Sequence, residues 1–127
     1  MEKEKMIEMQ ILDYQLQQIQ KHIQTMEQQL EEVQKVQNDL AEFGKLKPGD
    51  EILVPVANRM FATAELKDNK TLKLNVGSDV VAEKTIAQTI SLLDKHTEEM
   101  MRTHNEAIIE FQGLVEKARK LQSEIEG

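Results

Sequence analysis

The sequence has no cysteine and no tryptophan, and its 127 residues include only three phenylalanines, one tyrosine and two prolines. Without cysteine there can be neither a disulfide framework nor a thiolate metal site, which suits a reducing compartment. With so few aromatic rings no thick core can be anchored, so the 39% of residues that are apolar are expected to bury in thin seams. No stretch approaches the roughly 20 apolar residues that span a bilayer, and the opening MEKEKMIEMQ lacks the apolar run of a signal peptide. A cytoplasmic location with no membrane contact is expected.

Positive charge is outnumbered, 16 Lys and Arg against 23 Asp and Glu. The net charge is −7, and residues 1–43 carry nine acids against four bases, residues 86–127 eight against five, and residues 44–85 six against seven. Nucleic acid is therefore not an expected partner, because phosphate binding needs clustered Lys and Arg to release counterions.

What the chain does have is heptad periodicity at both ends. In the first arm 9, 16, 23, 30 and 37 are a positions and 12, 19, 26, 33 and 40 are d positions, all apolar except Gln37. In the second, 90, 97, 104, 111, 118 and 125 are a positions, and 86, 93, 100, 107, 114 and 121 are d positions. Proline is absent from both, and Gly113 falls on an outward c position. Each arm predicts a helix of about 60 Å, too long to leave its apolar stripe in water. Antiparallel pairing of residues whose numbers sum to 130 sets Leu40 by Ile90, Leu30 by Met100, Ile19 by Phe111 and Met9 by Leu121.

The polar seam residues Gln37, Thr97 and His104 read as register-setting positions. His96 and His104 are about two helical turns apart, roughly 12 Å, too far to chelate one ion, and His22 adds no ligand spacing. The adjacent pairs Glu31–Glu32 and Glu98–Glu99 point to different helix faces and read as solvated charges. With no phosphate loop and no nucleophile beside a base, the sequence predicts no catalytic residue, metal site or cofactor.

Between the arms the pattern changes. Gly44 ends the first helix, Pro48-Gly49-Asp50 is turn chemistry, and four runs of strand character follow: 51–56, 60–67, 71–76 and 80–84. Ala57-Asn58-Arg59 and Gly77-Ser78-Asp79 read as the tips of two hairpins, with Asp68-Asn69-Lys70 linking them. A lone hairpin is marginal in water, so the apolar residues Ile52, Val54, Val56, Phe61, Leu66, Leu72, Leu74, Val76 and Val81 call for strands from other subunits. The expected fold class is α+β: a long antiparallel two-helix coiled coil with two central β-hairpins that mediate oligomerisation.

These features resemble the α class of the prefoldin family. The resemblance is carried by EILVPV at 51–56, Met60-Phe61 with AEL at 64–66, NVG at 75–77, VAEK at 81–84, and the two heptad arms, and it covers nearly the whole chain. Two hairpins are the mark of the α class and one of the β class. The usual glycines of the first turn are replaced by Ala57-Asn58-Arg59, which is similar to the eukaryotic α-class subunit five. The resemblance implies one prefoldin-type domain over 1–127, with arms 1–43 and 86–127 and an oligomerisation segment 44–85. It also implies a hexamer of two α and four β subunits whose hairpins form a β-barrel platform. Such assemblies hold unfolded client proteins without ATP and deliver them to a group II chaperonin.

Client contact calls for exposed, adaptable apolar surface, for which methionine is well suited. The candidates are Met6, Ile7, Met9 and Ile11 near the N-terminus, and Met101, Ile108, Val115, Leu121 and Ile125 on the second arm. Met101, Ile108 and Val115 share the e position beside the seam, where apolar residues also serve to widen an intramolecular contact. Two rival readings are a filament-forming relative with the same design and a nucleic-acid-binding helical hairpin, the latter disfavoured by the acidic arms.

Overall fold

A computed structural model describes residues 2–127. The element order is α1 (Glu2–Gly44), β1 (Glu51–Ala57), β2 (Met60–Glu65), β3 (Leu72–Asn75), β4 (Val81–Lys84) and α2 (Ile86–Glu126). The chain divides into two compact units, Met1–Glu32 with His96–Gly127, and Val33–Lys95. The first contains only coiled coil; the second holds all four strands and the adjoining helix segments.

Helix α1 has 43 residues and α2 has 41, and heptad burial is visible in both. In α1, between residues 9 and 40, the residues that escape full exposure are those of the a and d positions and no others. In the coiled-coil unit, Leu12, Ala118 and Leu121 form a buried cluster against Met9, Leu16, Leu114 and Ile125. Complete burial of a leucine side chain contributes roughly 1.5–3 kcal/mol, so such layers hold the pair of helices closed.

The antiparallel register can be read from polar contacts within each unit. In the coiled-coil unit Lys5 Nζ lies 3.6 Å from Glu124 Oε2, and His104 Nε2 lies 3.1 Å from Glu27 Oε1. In the strand-bearing unit Gln37 Nε2 donates to Asp94 Oδ1 at 2.6 Å. All three pairs have residue numbers that sum to within about one of 130, the register expected from the alternation of apolar residues.

Both helix ends next to the strands are capped by side chains. Thr85 Oγ1 accepts from the Gln88 N–H at 3.0 Å, and Gln88 Oε1 accepts from the Thr85 N–H at 3.0 Å. This reciprocal capping box satisfies two donors that a helix start leaves open, and it sets the first residue of α2. At the end of α1, Asn69 Nδ2 donates to the carbonyls of Phe43 and Leu46 at 3.0 and 2.9 Å. The linker between the hairpins therefore closes the helix. Gly44 is the last helical residue and does not adopt a left-handed cap; the glycines at positive φ are Gly49 and Gly77.

The strands form two separate two-stranded antiparallel sheets, β1–β2 and β3–β4. In the first, Glu51 pairs with Glu65 and Pro55 with Phe61; a bulge then shifts the register so that Ala57 pairs with Met60. The pairing extends past β2 through Leu66, whose N–H donates to Asp50 O at 2.8 Å and whose carbonyl accepts from the Gly49 N–H at 2.7 Å. In the second, Leu72 pairs with Lys84 and Asn75 with Val81. Its tip is a turn with positive φ at Ser78 (49°) and Asp79 (62°), the arrangement of a type I′ hairpin turn. Asn75 Oδ1 supports it by accepting from the Gly77 N–H at 3.0 Å.

The first hairpin turns at Asn58-Arg59, and Arg59 has φ 61°. An L residue there carries a penalty of about 1–2 kcal/mol, which glycine avoids at an entropic cost of roughly 0.5–1 kcal/mol. Arg59→Gly is expected to raise the denaturation midpoint slightly. A lower midpoint would show that the arginine side chain adds stability through contacts of its own.

Candidate functional site

Each of the two units keeps exposed apolar side chains among the described residues. In the coiled-coil unit Met6, Ile7 and Ile11 are 57%, 51% and 53% exposed. Heptad geometry explains this: Ile7 is at f and Ile11 at c, on the side of α1 turned away from the seam, and Met6 is at e on its flank. Met6 and Met9 of α1 and Ile125 of α2 line a cleft of about 520 Å³, with Gln10, Asp13 and Gln122 on its polar side.

The other candidates for client contact are distributed differently. Met101 is exposed, whereas Ile108 and Val115 are half-buried, so those two e residues also widen the intramolecular contact. Leu121 is buried in the cluster with Leu12 and Ala118, and its side chain belongs to the seam. Met9 and Ile125 pack against that cluster and present only part of their surface to the cleft. Tyr14, not singled out from the sequence, is well exposed at an f position one heptad beyond Ile7. The spacing Ile7, Ile11, Tyr14 is the signal that could have revealed it, a second apolar stripe at i, i+4 and i+7.

In the strand-bearing unit Val54, Val56, Phe61, Val76 and Val81 are exposed and Ile52, Leu72 and Leu74 are half-buried. Leu66 departs from expectation. It is 7% exposed, because its backbone bonds to Gly49 and Asp50 draw it into the subunit, and it is not available to other strands. Leu53, Met60 and Val80, which were not among the residues expected to meet other strands, are exposed as well. The signal for Leu53 was present: ILVPV is apolar on both faces, the pattern of a strand covered from two sides.

The polar seam residues take two different states. Gln37 and His104 have the partners described above, Asp94 and Glu27. Thr97 Oγ1 is buried with no hydrogen-bond partner, although Thr25, Thr89 and Thr103 each donate to the carbonyl four residues earlier. Among the described residues there is no group of three or more His, Asp or Glu placed to hold a metal ion, and no helix is long and apolar enough to cross a membrane. An unpaired buried hydroxyl costs about 1–3 kcal/mol, so Thr97→Val, which keeps the shape and removes the hydroxyl, is expected to raise the denaturation midpoint. An unchanged or lowered midpoint would mean that Thr97 is satisfied in solution.

Comparison with known proteins places these surfaces in a family. The prefoldin subunit profile matches residues 12–127. The chain is similar to the prefoldin subunit alpha of Pyrococcus horikoshii, 32% identical over 93% of this chain and 82% of that protein. It is similar as well to the prefoldin subunit alpha of Thermofilum pendens, 26% identical over 84% of this chain and 83% of that protein. The prefoldin subunit alpha 1 of Methanocaldococcus jannaschii is 27% identical over 98% of this chain and 84% of that protein. Among solved structures, a filamentous prefoldin from Methanocaldococcus jannaschii superposes with a TM-score of 0.78 at 15% identity, over 91% of this chain and 95% of that one, which shows a shared fold. With two long heptad helices, two hairpins between them and a family match over residues 12–127, the chain belongs to the prefoldin family of chaperone subunits, as an α-class subunit of the archaeal type.

Proposed function

We propose that this prefoldin chaperone subunit works as an ATP-independent holdase in the cytoplasm, in a hexamer of two α and four β subunits that delivers unfolded polypeptides to a group II chaperonin. The hairpins are the assembly element. Each sheet has only two strands, with exposed apolar residues such as Val56, Phe61 and Val81, and a two-stranded sheet gains stability only when further strands or a covering layer complete it. β-class prefoldin subunits are partners of the required chemistry.

The observation that carries client capture is the exposed apolar group Met6, Ile7 and Ile11 beside the cleft lined by Met9 and Ile125. An unfolded chain offers apolar side chains in no fixed arrangement, and flexible methionine and isoleucine surface can repack against many of them. Met101 extends the same character onto α2. Replacing Met6, Ile7 and Ile11 by serine is expected to leave the assembly intact and to weaken suppression of client aggregation several-fold. Suppression equal to that of the native complex would remove these residues from the mechanism.

A structural role as a filament former is the second reading, because incomplete sheets can continue from copy to copy when the contact does not close. Native mass measurement of the chain alone and with a one-hairpin β-class partner separates the two. A single closed species with the partner is expected, and an open ladder of masses that persists with the partner present would favour the filament.

A further inference from the structure

We infer that the coiled-coil unit holds a client through its backbone as well as its side chains, and that glutamine amides on α1 make those backbone contacts; this rests on the client-capture reading above. The chain is 31% charged, yet residues 9–20, MQILDYQLQQIQ, carry the single charge of Asp13. The polar outward positions that Glu and Lys fill elsewhere are here taken mainly by glutamine. Gln10, Gln17 and Gln24 occupy successive b positions and Gln20 the neighbouring e position, and all four are exposed. Gln17, Gln20 and Gln24 line a groove of about 280 Å³ together with Lys21. Their side-chain amides make no hydrogen bond among the described residues, whereas the side chains of Gln37, Gln88 and Gln122 do.

These amides lie on the side of the coiled coil where the e and b residues of the two helices come together. The 520 Å³ cleft shows that side directly: Met6, Gln10 and Asp13 of α1 share it with Gln122 and Glu126 of α2. On the same side α2 carries Met101, Ile108 and Val115, and the register places Gln20 level with Ile108. An apolar stripe from one helix therefore runs alongside an amide stripe from the other.

The occupant that fits both stripes is an extended, unfolded polypeptide segment. Such a segment has apolar side chains for the α2 stripe, and its backbone N–H and C=O groups have no internal partners. Pressing it onto a purely apolar surface would strip water from those groups without replacing the hydrogen bonds. A glutamine amide both donates and accepts, so it can meet either backbone group in any register. Being neutral, it does not select clients by charge, as Glu or Lys would. A nucleic acid would need clustered cationic groups, and the groove of these amides offers Lys21 alone.

The test uses the full-length chain assembled with a prefoldin β subunit and a labelled peptide of alternating Leu and Ser, with and without N-methylation at alternate residues. On the native complex N-methylation is expected to weaken binding about tenfold. Gln17→Ala with Gln20→Ala and Gln24→Ala should weaken binding of the unmethylated peptide three- to tenfold and abolish most of the methylation effect. A triple variant that binds the unmethylated peptide as tightly as the native complex, or that keeps the full methylation effect, overturns the inference. If in that case serine at Met6, Ile7 and Ile11 still reduces binding, client capture stands and only the amide role falls. No binding of either peptide to the native complex would overturn both.

Discussion

Two helices of more than forty residues, each with a single apolar stripe, cannot persist as separate helices in water, and the rest of the structure depends on how that stripe is covered. Intramolecular pairing covers it at one layer of residues for every three or four positions, and the burial of Leu12, Met26, Ala107 and Leu121 follows that rhythm. A seam so narrow leaves most of each helix surface in solvent. On a helix with only this structural task, those outward positions would be occupied by charge. Here they hold Ile7, Ile11 and Tyr14 on one face and a run of glutamines on another. The economy of the seam is what leaves this apolar and amide surface in solvent.

The hairpins are under the opposite constraint. A coiled coil closes on itself, whereas a two-stranded sheet has two open edges and faces that its own strands cannot cover. The local chemistry of this segment is nonetheless well specified. Thr85 and Gln88 cap one helix, Asn69 closes the other, and Asn75 supports the type I′ turn. Well-defined local geometry combined with exposed Leu53, Val56, Phe61 and Val81 describes an element built for assembly with other prefoldin subunits.

The helices and hairpins could be read in the sequence because their signals are periodic. An alternation of three and four over forty residues admits one seam and one antiparallel register, and Leu72, Leu74 and their polar neighbours admit one strand orientation. The capping box at Thr85-Ile86-Ala87-Gln88 was equally legible as a T-x-x-Q pattern before an apolar run, although β propensity in the preceding residues masked it. What could not be read was the fate of individual side chains within a pattern. Leu66 and Val76 look alike as strand residues, but backbone bonds to Gly49 and Asp50 draw Leu66 inward while Val76 stays exposed.

The sequence by itself determined the α+β architecture, the heptad seam and the need of the hairpins for partners, because each follows from repeated local preference and from the balance of apolar to charged residues. Only the tertiary structure decided how far the flanking e residues are covered: Ile108 and Val115 are half-buried, whereas Met6 and Met101 are left to solvent. The same packing decided that Asn69 rather than Gly44 closes α1, and that Thr97 remains without a hydrogen-bond partner where other threonines find a carbonyl. These outcomes depend on what approaches a side chain from elsewhere in the fold, and that information is absent from the neighbouring residues along the chain.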